Sequence, residues 1–192
     1  MSNANENLPL VPEMSKVNGR RNPALARRVA ACLEALDAKL VCAESCTGGM
    51  VSACLASVPG ISNSLCGSFV TYRPMSKRRW LKVSQQTIDE CTTESTEVAQ
   101  EMAMGALRET PEATWSVAVV GHLGPEAPQE KDGHVFICVA RRDCEGNLHK
   151  QHLCELVLPL GSRSYRQRCA TEVVLTITAA ALSQVSPSQE QT

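Results

Sequence analysis

Aromatic residues are scarce in this chain: they make up 3% of its 192 residues, whereas hydrophobic residues make up 43%. A core must therefore be built from aliphatic, alanine, cysteine and methionine side chains. The formal net charge is only -1, which gives no general attraction to nucleic acid or to an anionic membrane. Membrane-spanning runs and the basic, then apolar, pattern of a signal peptide are also missing. We therefore expect a cytoplasmic protein of one domain's length that binds neither nucleic acid nor membrane.

The ten cysteines include no C-x-x-C pair, so the spacings typical of zinc sites and of redox-active disulfides are missing. Most of them lie in apolar stretches such as Phe136–Val139, which is typical of buried, reduced thiols. Cys46 differs because it lies at the N-terminus of a predicted helix, where the helix dipole would lower its pKa. The alternative is a small packing residue. We expect free cysteines and no metal site.

Residues 1–22 are polar and include the basic Gly19–Arg21, so we expect a flexible leader there. Asn22 and Pro23 are typical of residues that begin a helix, and apolar residues at helical spacing extend it to Leu36. Strands are predicted over residues 39–42, 66–72, 115–120, 134–140 and 148–158. Further helices are predicted over residues 46–57, 73–81, 93–108 and 161–185, followed by a flexible tail over 186–192.

Helices alternate with the first strands of the chain, which predicts that these strands pair in parallel. The strands at 134–140 and 148–158 are joined by a short turn, which predicts an antiparallel hairpin. We therefore predict a single three-layer α/β/α domain with a mixed sheet over residues 23–185. In α/β sheets, ligands bind outside the carboxyl ends of the parallel strands.

The stretch Ala43–Gly49, with the sequence A-E-S-C-T-G-G, lies between a predicted buried strand and a predicted helix. The unpaired N–H groups of a helix start suit a phosphate, a carboxylate or a developing oxyanion, and glycines let a ligand approach the backbone. The alternative is a simple capped helix with Ser45 or Thr47 as its N-cap. A second glycine loop, Gly121–Pro125, also follows a predicted strand, which favours a site at this sheet edge.

A serine nucleophile needs a base, and the chain offers two candidates for Ser45. His122 lies in the second glycine loop. Lys77 follows the strand that ends at Tyr72, which brings it to the same sheet edge if that strand is parallel, and lysine is the base in Ser-Lys enzymes. Arg163 begins the last helix, where a cation opposes the helix dipole, so it is a candidate ligand for an anion such as phosphate. The residues alone leave His122 and Lys77 as alternatives, each also readable as an ordinary surface residue.

The stretch Ala43–Gly49 resembles the signature of the CinA C-terminal domain family, which includes the bacterial nicotinamide mononucleotide deamidases. The resemblance covers about residues 24–185. Further motifs follow in the same order along the chain: Val58–Ser62, Phe69–Tyr72 with Lys77, Glu101–Leu107, Gly121 with Gly124–Glu126, and Gly161 with Arg163.

This resemblance implies hydrolysis of the carboxamide of nicotinamide mononucleotide to nicotinate mononucleotide and ammonia, with no cofactor or metal. Ser45 would be the nucleophile, Lys77 its base, and Tyr72 would help to hold the lysine and the substrate. The oxyanion and substrate contacts would come from Cys46, Thr47, Gly48, Gly49, Gly121, Gly124 and Arg163. The implied partner is a small-molecule nucleotide, and the resemblance also suggests a homo-oligomer.

The second glycine loop departs from the family's pattern. Val120 stands where the family usually has Thr or Ser, and the pair at 122–123 is His-Leu in place of Ile-Ala. Ala127–Pro128 replaces Gly-Gly, and Ser162 replaces Asp. The change at 120 removes a hydroxyl, and proline at 128 removes an N–H donor. Two functions therefore follow as alternatives: an amidase, or a catalytically silent nucleotide-binding or interaction protein on the same fold.

Overall fold

The computed structural model describes residues 11–20 and 22–185 of the chain. In this part, the helices are α1 (Pro23–Ala35), α2 (Met50–Ala56), α3 (Pro74–Leu81), α4 (Gln85–Cys91), α5 (Thr96–Glu109) and α6 (Arg163–Ser183). The strands are β1 (Leu40–Glu44), β2 (Leu65–Val70), β3 (Trp115–Gly121), β4 (His134–Arg142) and β5 (Leu148–Val157). Single 3-10 turns lie at Met14–Lys16, Ile61–Asn63 and Gln129–Lys131.

The strands form a mixed sheet in the order β2-β1-β3-β4-β5. β1 pairs in parallel with both neighbours, so that Glu44 lies beside Val70 on one side and Val119 on the other. The β3–β4 and β4–β5 pairs are antiparallel. The predicted parallel pairing and the predicted hairpin are therefore confirmed. The carboxyl ends of β1, β2 and β3 meet at one sheet edge, where both glycine loops lie.

Helices cover both faces of the sheet, because successive strand residues point to opposite sides. One face packs against α1, α2 and α6 through residues that include Leu40, Cys42, Val117 and Val119. The other packs against α3 and α5 through residues that include Val41, Ala43, Ala118 and Val120. This α/β/α arrangement with a mixed sheet is the predicted fold class, which is confirmed.

Two helices differ from the prediction. α2 begins at Met50 rather than near Cys46, because Gly49 adopts a φ of 95° as the N-cap residue and residues 45–49 form a loop. α4 is absent from the prediction because none of its seven residues is buried, so no apolar stripe marks it in the sequence.

The segment that precedes α1 lies against α6. Val17 is buried, and the backbone N–H groups of Asn18 and Gly19 donate to Glu172 Oε2 at 3.2 and 2.9 Å. Arg168 Nε donates to Gly19 O at 3.0 Å. A flexible leader over 1–22 is the expectation from composition, but these contacts hold the stretch 17–19 on the domain. Residues 1–10, Arg21 and the expected tail at 186–192 lie outside the described residues.

α6 is 21 residues long and largely buried, and it packs on both α1 and α2. Its threonines at 171 and 178 return their hydroxyls to the backbone carbonyls four residues earlier, at 2.9 and 2.7 Å. In the described part of the chain, neither α6 nor any other helix is long and apolar enough to cross a membrane.

Gly105, in the middle of α5, faces the end of α3. A Cβ built at this position would lie 2.1 Å from Leu81 O, far inside van der Waals contact. We expect Gly105→Ala to lower the free energy of unfolding by about 2 kcal/mol, because α5 must move away from α3, despite the higher helix propensity of alanine. Equilibrium denaturation with urea measures this change. A variant that is as stable as the wild type would contradict the close packing of these helices.

Candidate active site

A cavity of about 390 Å³ opens at the sheet edge where β1, β2 and β3 end. Its walls come from both glycine loops, the end of β2, the segment before α5 and the start of α6. The lining residues are Ser45, Cys46, Tyr72, Glu94, Gly121, His122, Leu123, Gly124, Pro125, Glu126, Ala127 and Arg163. The predicted site residues that do not line this cavity are Thr47, Gly48, Gly49 and Lys77.

The carboxylate of Glu44, the last residue of β1, organises the first glycine loop. Glu44 is buried, with only 1% of its surface exposed. Oε2 accepts hydrogen bonds from Thr47 Oγ1 at 2.7 Å and from the N–H groups of Gly49 and Val51, both at 3.0 Å. Oε1 accepts from the backbone N–H of residue 52 at 2.9 Å and from Ser68 Oγ at 3.1 Å. One carboxylate therefore caps α2 and also ties β2 to the loop.

The backbone N–H groups before and at the start of α2 are thus already hydrogen-bonded within the protein. The Gly49 N–H donates to Glu44, and the Gly48 N–H donates to Ser45 O at 3.1 Å, so these donors are used within the loop. The alternative prediction, with Ser45 or Thr47 as the N-cap, is wrong because Gly49 is the N-cap residue. The capping oxygens belong to the side chain of Glu44, which precedes the loop. Thr47 donates a hydrogen bond to the same carboxylate.

We expect Glu44→Gln to lower the free energy of unfolding by about 3 kcal/mol, because an amide nitrogen cannot accept hydrogen bonds and buried donors would lose their partner. Equilibrium denaturation measures the loss. Glu112→Gln is the matched control: this exposed carboxylate pairs with Lys39 at 3.0 Å, and its loss should cost less than about 0.5 kcal/mol. Equal effects of the two substitutions would contradict the capping role of Glu44.

Ser45 and Cys46 follow Glu44 on the cavity wall. The Ser45 N–H donates to Val119 O of β3 at 3.0 Å, which fixes the residue to the sheet. Burial raises the pKa of the Cys46 thiol to about 12, although nearby Lys77 lowers it in part. Of the two interpretations of Cys46, the lowered thiol pKa is therefore wrong, because desolvation dominates, and the buried thiol agrees with a small packing residue. Cys46 stays protonated at neutral pH, which leaves Ser45 as the candidate nucleophile.

Lys77 lies in α3 with a fully buried side chain. Its Nζ donates to Thr93 O at 2.7 Å and lies 3.5 Å from Glu94 Oε1. Burial lowers the pKa of Lys77, and the nearby Glu94 carboxylate and Cys46 offset this shift in part. Within residues 11–20 and 22–185, no hydrogen bond joins this amine to Ser45. The amine therefore reaches the predicted sheet edge but lies behind the cavity wall.

Arg163, the first residue of α6, links the two sides of the cavity. Its Nη1 donates to Gly124 O and its Nη2 donates to Tyr72 Oη, both at 2.7 Å. Tyr72 is 56% exposed, so its ring is open to the cavity mouth. A guanidinium has five N–H donors, and these two contacts leave others for an anion. Arg163 is thus a structural tie as well as a candidate anion ligand.

An ion pair between Arg166 and Asp132 packs against the second glycine loop at Gly124. Arg166, which is buried in α6, donates from Nη1 and Nη2 to the two carboxylate oxygens of Asp132 at 2.6 and 2.8 Å. These hydrogen bonds lower the pKa of Asp132. A Cβ at Gly124, where φ is 68°, would lie 3.0 Å from Asp132 Oδ1. Close packing on this ion pair and the backbone conformation therefore both require glycine at 124.

His122 is fixed through its backbone. Its N–H donates to His134 O, and its carbonyl accepts from the Gly133 N–H, both at 2.8 Å. At the neighbouring Gly121, a Cβ would lie 2.5 Å from the same His134 carbonyl, so a larger residue does not fit. His122 therefore lines the cavity from a backbone that is hydrogen-bonded to the residues at the start of β4.

Glu94 is a cavity residue that sequence reasoning misses. Its Oε1 lies 3.5 Å from Lys77 Nζ, and its Oε2 lies 3.8 Å from His122 Nε2. Thr93 Oγ1 also donates to Oε2. The sequence shows only an acid-rich helix start, and Ser95 does cap α5 by accepting the Val98 N–H at 3.2 Å. Only the spatial relation to a lysine 17 residues away distinguishes Glu94 from other acidic residues near a helix start.

The ten cysteines are free thiols. In the described ranges 11–20 and 22–185, no group of three or more His, Cys, Asp or Glu residues could hold a metal ion. A second cavity of about 300 Å³ lies between the segment before α1, α1, α2 and α6, and mostly apolar atoms form its walls. None of its lining residues also lines the cavity at the sheet edge.

The fold and this cavity define an α/β protein with a serine-containing site at the carboxyl ends of parallel strands, backed by a buried lysine. A profile of the CinA C-terminal domain matches residues 22–182. The chain belongs to the CinA C-terminal domain family.

Similar proteins carry the same family name. A CinA-like protein of Solibacter usitatus is 34% identical over 140 residues, which are 72% of this chain and 33% of the relative. One from Petrotoga mobilis is 46% identical over 89 residues, 46% of this chain and 22% of the relative. The chain thus spans about a third or less of the length of these relatives.

Solved structures match over almost their whole length. The competence/damage inducible protein CihA of Agrobacterium tumefaciens has a TM-score of 0.73 and 29% identity, with 88% of this chain and 95% of that chain covered. The competence damage-inducible protein A (ComA) of Klebsiella pneumoniae has a TM-score of 0.73 and 28% identity, with 84% and 94% covered.

We expect Lys77→Met to raise the melting temperature near neutral pH by about 2–4 °C, because burial disfavours the charged form of this amine and so costs stability at a pH below its ordinary pKa. The pKa of Lys77 is lowered from 10.5 in the folded state. The wild type therefore gains stability as the pH rises from that lowered pKa toward 10.5, and it loses this gain as the pH falls. The advantage of the variant should shrink toward high pH in thermal melts.

Lys82→Met is the control for this melt series, because the Lys82 side chain is exposed and its charge carries no burial cost. Its melting temperature should follow that of the wild type at each pH. If Lys77→Met melts below the wild type throughout, the buried amine stabilises the fold, and the stated cost of its burial is refuted.

Proposed function

We propose that this chain hydrolyses the carboxamide of nicotinamide mononucleotide to nicotinate mononucleotide and ammonia. One observation carries the proposal: Ser45 and Arg163 line one cavity, and the buried amine of Lys77 lies 3.5 Å from Glu94 of the same cavity, in a chain of the CinA C-terminal domain family. The cavity volume of about 390 Å³ lies within the range of small-molecule sites.

The proposed reaction proceeds by acyl transfer to serine. Ser45 Oγ attacks the amide carbon and passes its proton to the neutral amine of Lys77, and the tetrahedral oxyanion forms. The C–N bond then breaks, and the amide nitrogen takes that proton and leaves as ammonia. Water then attacks the serine ester: one of its protons goes to Ser45 Oγ, which restores the hydroxyl, and the other is released to solvent as the carboxylate product forms. The Cys46 N–H, on the cavity wall, is the candidate oxyanion donor.

Lys77 must be neutral to accept a proton, and the burial that lowers its pKa favours this form. Its Nζ must also exchange the Thr93 carbonyl, 2.7 Å away, for the Ser45 hydroxyl. Hydrogen bonds of this kind are often long in a free enzyme and tighten when the substrate binds.

Substrate binding is assigned to the opposite wall. The phosphate contacts the free donors of Arg163, whose side chain is already oriented by Tyr72 and Gly124. The exposed ring of Tyr72 packs against the substrate's ring. Because the same guanidinium holds Tyr72, the phosphate and the ring are positioned by connected groups.

The test is an assay of the purified chain with nicotinamide mononucleotide, in which ammonia and nicotinate mononucleotide are measured. We expect Ser45→Ala and Lys77→Met each to lower kcat by at least about 10³-fold, because each removes a participant in bond making. Lys82→Met, which removes an exposed lysine just after α3, is the control and should keep wild-type turnover. Turnover that survives Ser45→Ala would refute the nucleophile.

The second candidate is a catalytically silent nucleotide-binding protein. It is favoured by the contact of Lys77 Nζ with Thr93 O, which uses the amine within the protein. Tight binding of nicotinamide mononucleotide without turnover in the same assay would support it. The alternative base has its own outcome: activity lost in His122→Ala but kept in Lys77→Met would assign proton transfer to the histidine.

A further inference from the structure

The half-buried side chain of Gln167, at the start of the second turn of α6, binds the loop that carries Ser45. Its Nε2 donates to Cys46 O at 3.0 Å and to Thr47 O at 3.2 Å. One amide nitrogen therefore holds two successive carbonyls of a loop that lies far away in the sequence. We propose that Gln167 is a positioning residue for the Cys46 N–H, the candidate oxyanion donor of this site.

The geometry of the peptide group transmits this effect to the Cys46 N–H. A trans peptide is planar, and its C=O and N–H point to opposite sides. Gln167 binds Thr47 O, which directs the Gly48 N–H away from α6, and this N–H donates to Ser45 O at 3.1 Å. The bond to Ser45 O then fixes the peptide group that contains the Cys46 N–H. Gln167 thus acts on this donor through planar groups that are hydrogen-bonded to one another.

Gln167 and Glu44 hold the loop through opposite kinds of backbone group. A carboxylate can only accept hydrogen bonds, so Glu44 binds N–H groups and the Thr47 hydroxyl. The carbonyls of Cys46 and Thr47 need donors instead, and the amide of Gln167 supplies them. Thr47 O also accepts the Met50 N–H at 3.2 Å. The loop is therefore restrained on its carbonyl side as well as on its N–H side.

Gly48 lets the loop approach this amide closely. A Cβ at position 48 would lie 3.3 Å from Gln167 Nε2, and the φ of Gly48 is 62°, which side chains rarely allow. A glycine at this position therefore permits both the turn and its contact with α6. The contact between Gln167 and the loop is part of how the loop is built.

Other side chains of α6 hold the opposite wall of the cavity. Arg163, four residues before Gln167, donates to Gly124 O, and Arg166 binds Asp132, against which Gly124 packs. Residues four apart lie on the same face of a helix. One helix therefore supports both glycine loops, and it keeps the proposed phosphate ligand, Arg163, in a fixed relation to the loop of Ser45.

The inference rests on the proposed function for its catalytic meaning. An oxyanion exists in the transition state but not in the bound substrate, so a donor aligned for it stabilises the transition state selectively. Loss of this alignment lowers kcat and leaves KM nearly unchanged. A residue that only held the fold together would not give this separation between the two constants.

The first test is kinetic, with nicotinamide mononucleotide as the substrate. We expect Gln167→Met, which keeps the length of the side chain but removes its donor, to lower kcat by about 10-fold and to change KM by less than about 2-fold. Gln167→Glu should lower kcat at least as much, because a carboxylate repels both carbonyls. An unchanged kcat, or a loss that lies in KM alone, would overturn the positioning role.

Gln86→Met is the matched control for these variants. It removes an exposed amide of α4 that donates to Glu90 Oε1 at 2.8 Å, away from the cavity. Both kcat and KM should stay at their wild-type values.

The second test needs no substrate and measures amide hydrogen exchange by NMR in the whole chain. We expect the Gly48 amide to exchange about 10-fold faster in Gln167→Met, because two hydrogen bonds that hold the loop closed are lost. The Cys42 amide, within β1, should keep its wild-type rate. Unchanged exchange at Gly48, or equal acceleration at Cys42, would refute a local role of Gln167.

The two tests separate this inference from the proposed function. If the wild type does not hydrolyse nicotinamide mononucleotide, the proposed function fails, and the exchange of the Gly48 amide alone decides whether Gln167 positions the loop. If the wild type is active, both the loss of kcat and the faster exchange are required.

Discussion

The buried carboxylate of Glu44 is the contact on which the functional edge of the sheet depends. It accepts hydrogen bonds from the loop that follows β1, from the start of α2 and from Ser68 of β2. A helix start normally offers its unpaired N–H groups to solvent or to a ligand. Here a side chain of the preceding strand fills that role, so the loop is rigid before any ligand arrives, and Ser45 is held on the cavity wall by its own bond to β3.

Desolvation then sets the chemistry of the residues around Ser45. The same physical effect keeps Cys46 protonated, by raising its pKa to about 12, and promotes the neutral form of Lys77, by lowering its pKa. The thiol and the amine respond in opposite directions because burial disfavours the charged form of each. Burial thus keeps the Cys46 thiol protonated and favours the uncharged amine of Lys77, which are the forms that the proposed serine–lysine chemistry requires. The Glu94 carboxylate opposes this lowering of the Lys77 pKa, because it stabilises the charged amine.

The sequence predicts the order of the layers, the parallel strands and the hairpin, because these follow from local periodicity and from the lengths of the connections. It also brings Ser45 and Lys77 to one sheet edge. The roles of Glu44 and Glu94 escape it, since both depend on contacts that local patterns do not encode. Val120 is a case where pattern misleads: the missing hydroxyl suggests a change in the cavity, but its side chain packs in the core on the α5 side. The departures of this loop that do line the cavity include His122, Leu123 and Ala127.

The position of each strand in the sheet affects which parts of this cavity tolerate substitution. β1 is paired on both sides, whereas β2 is an edge strand of the described sheet, with β1 as its neighbour. Ser45 therefore shares the rigidity of the sheet's interior, and Tyr72 and Lys77 depend on its periphery, where local opening costs less free energy. Under the proposed function, substitutions near β2 would displace the proposed base more readily than the serine. The cavity wall at Tyr72 and the amine of Lys77 are therefore more open to change than Ser45.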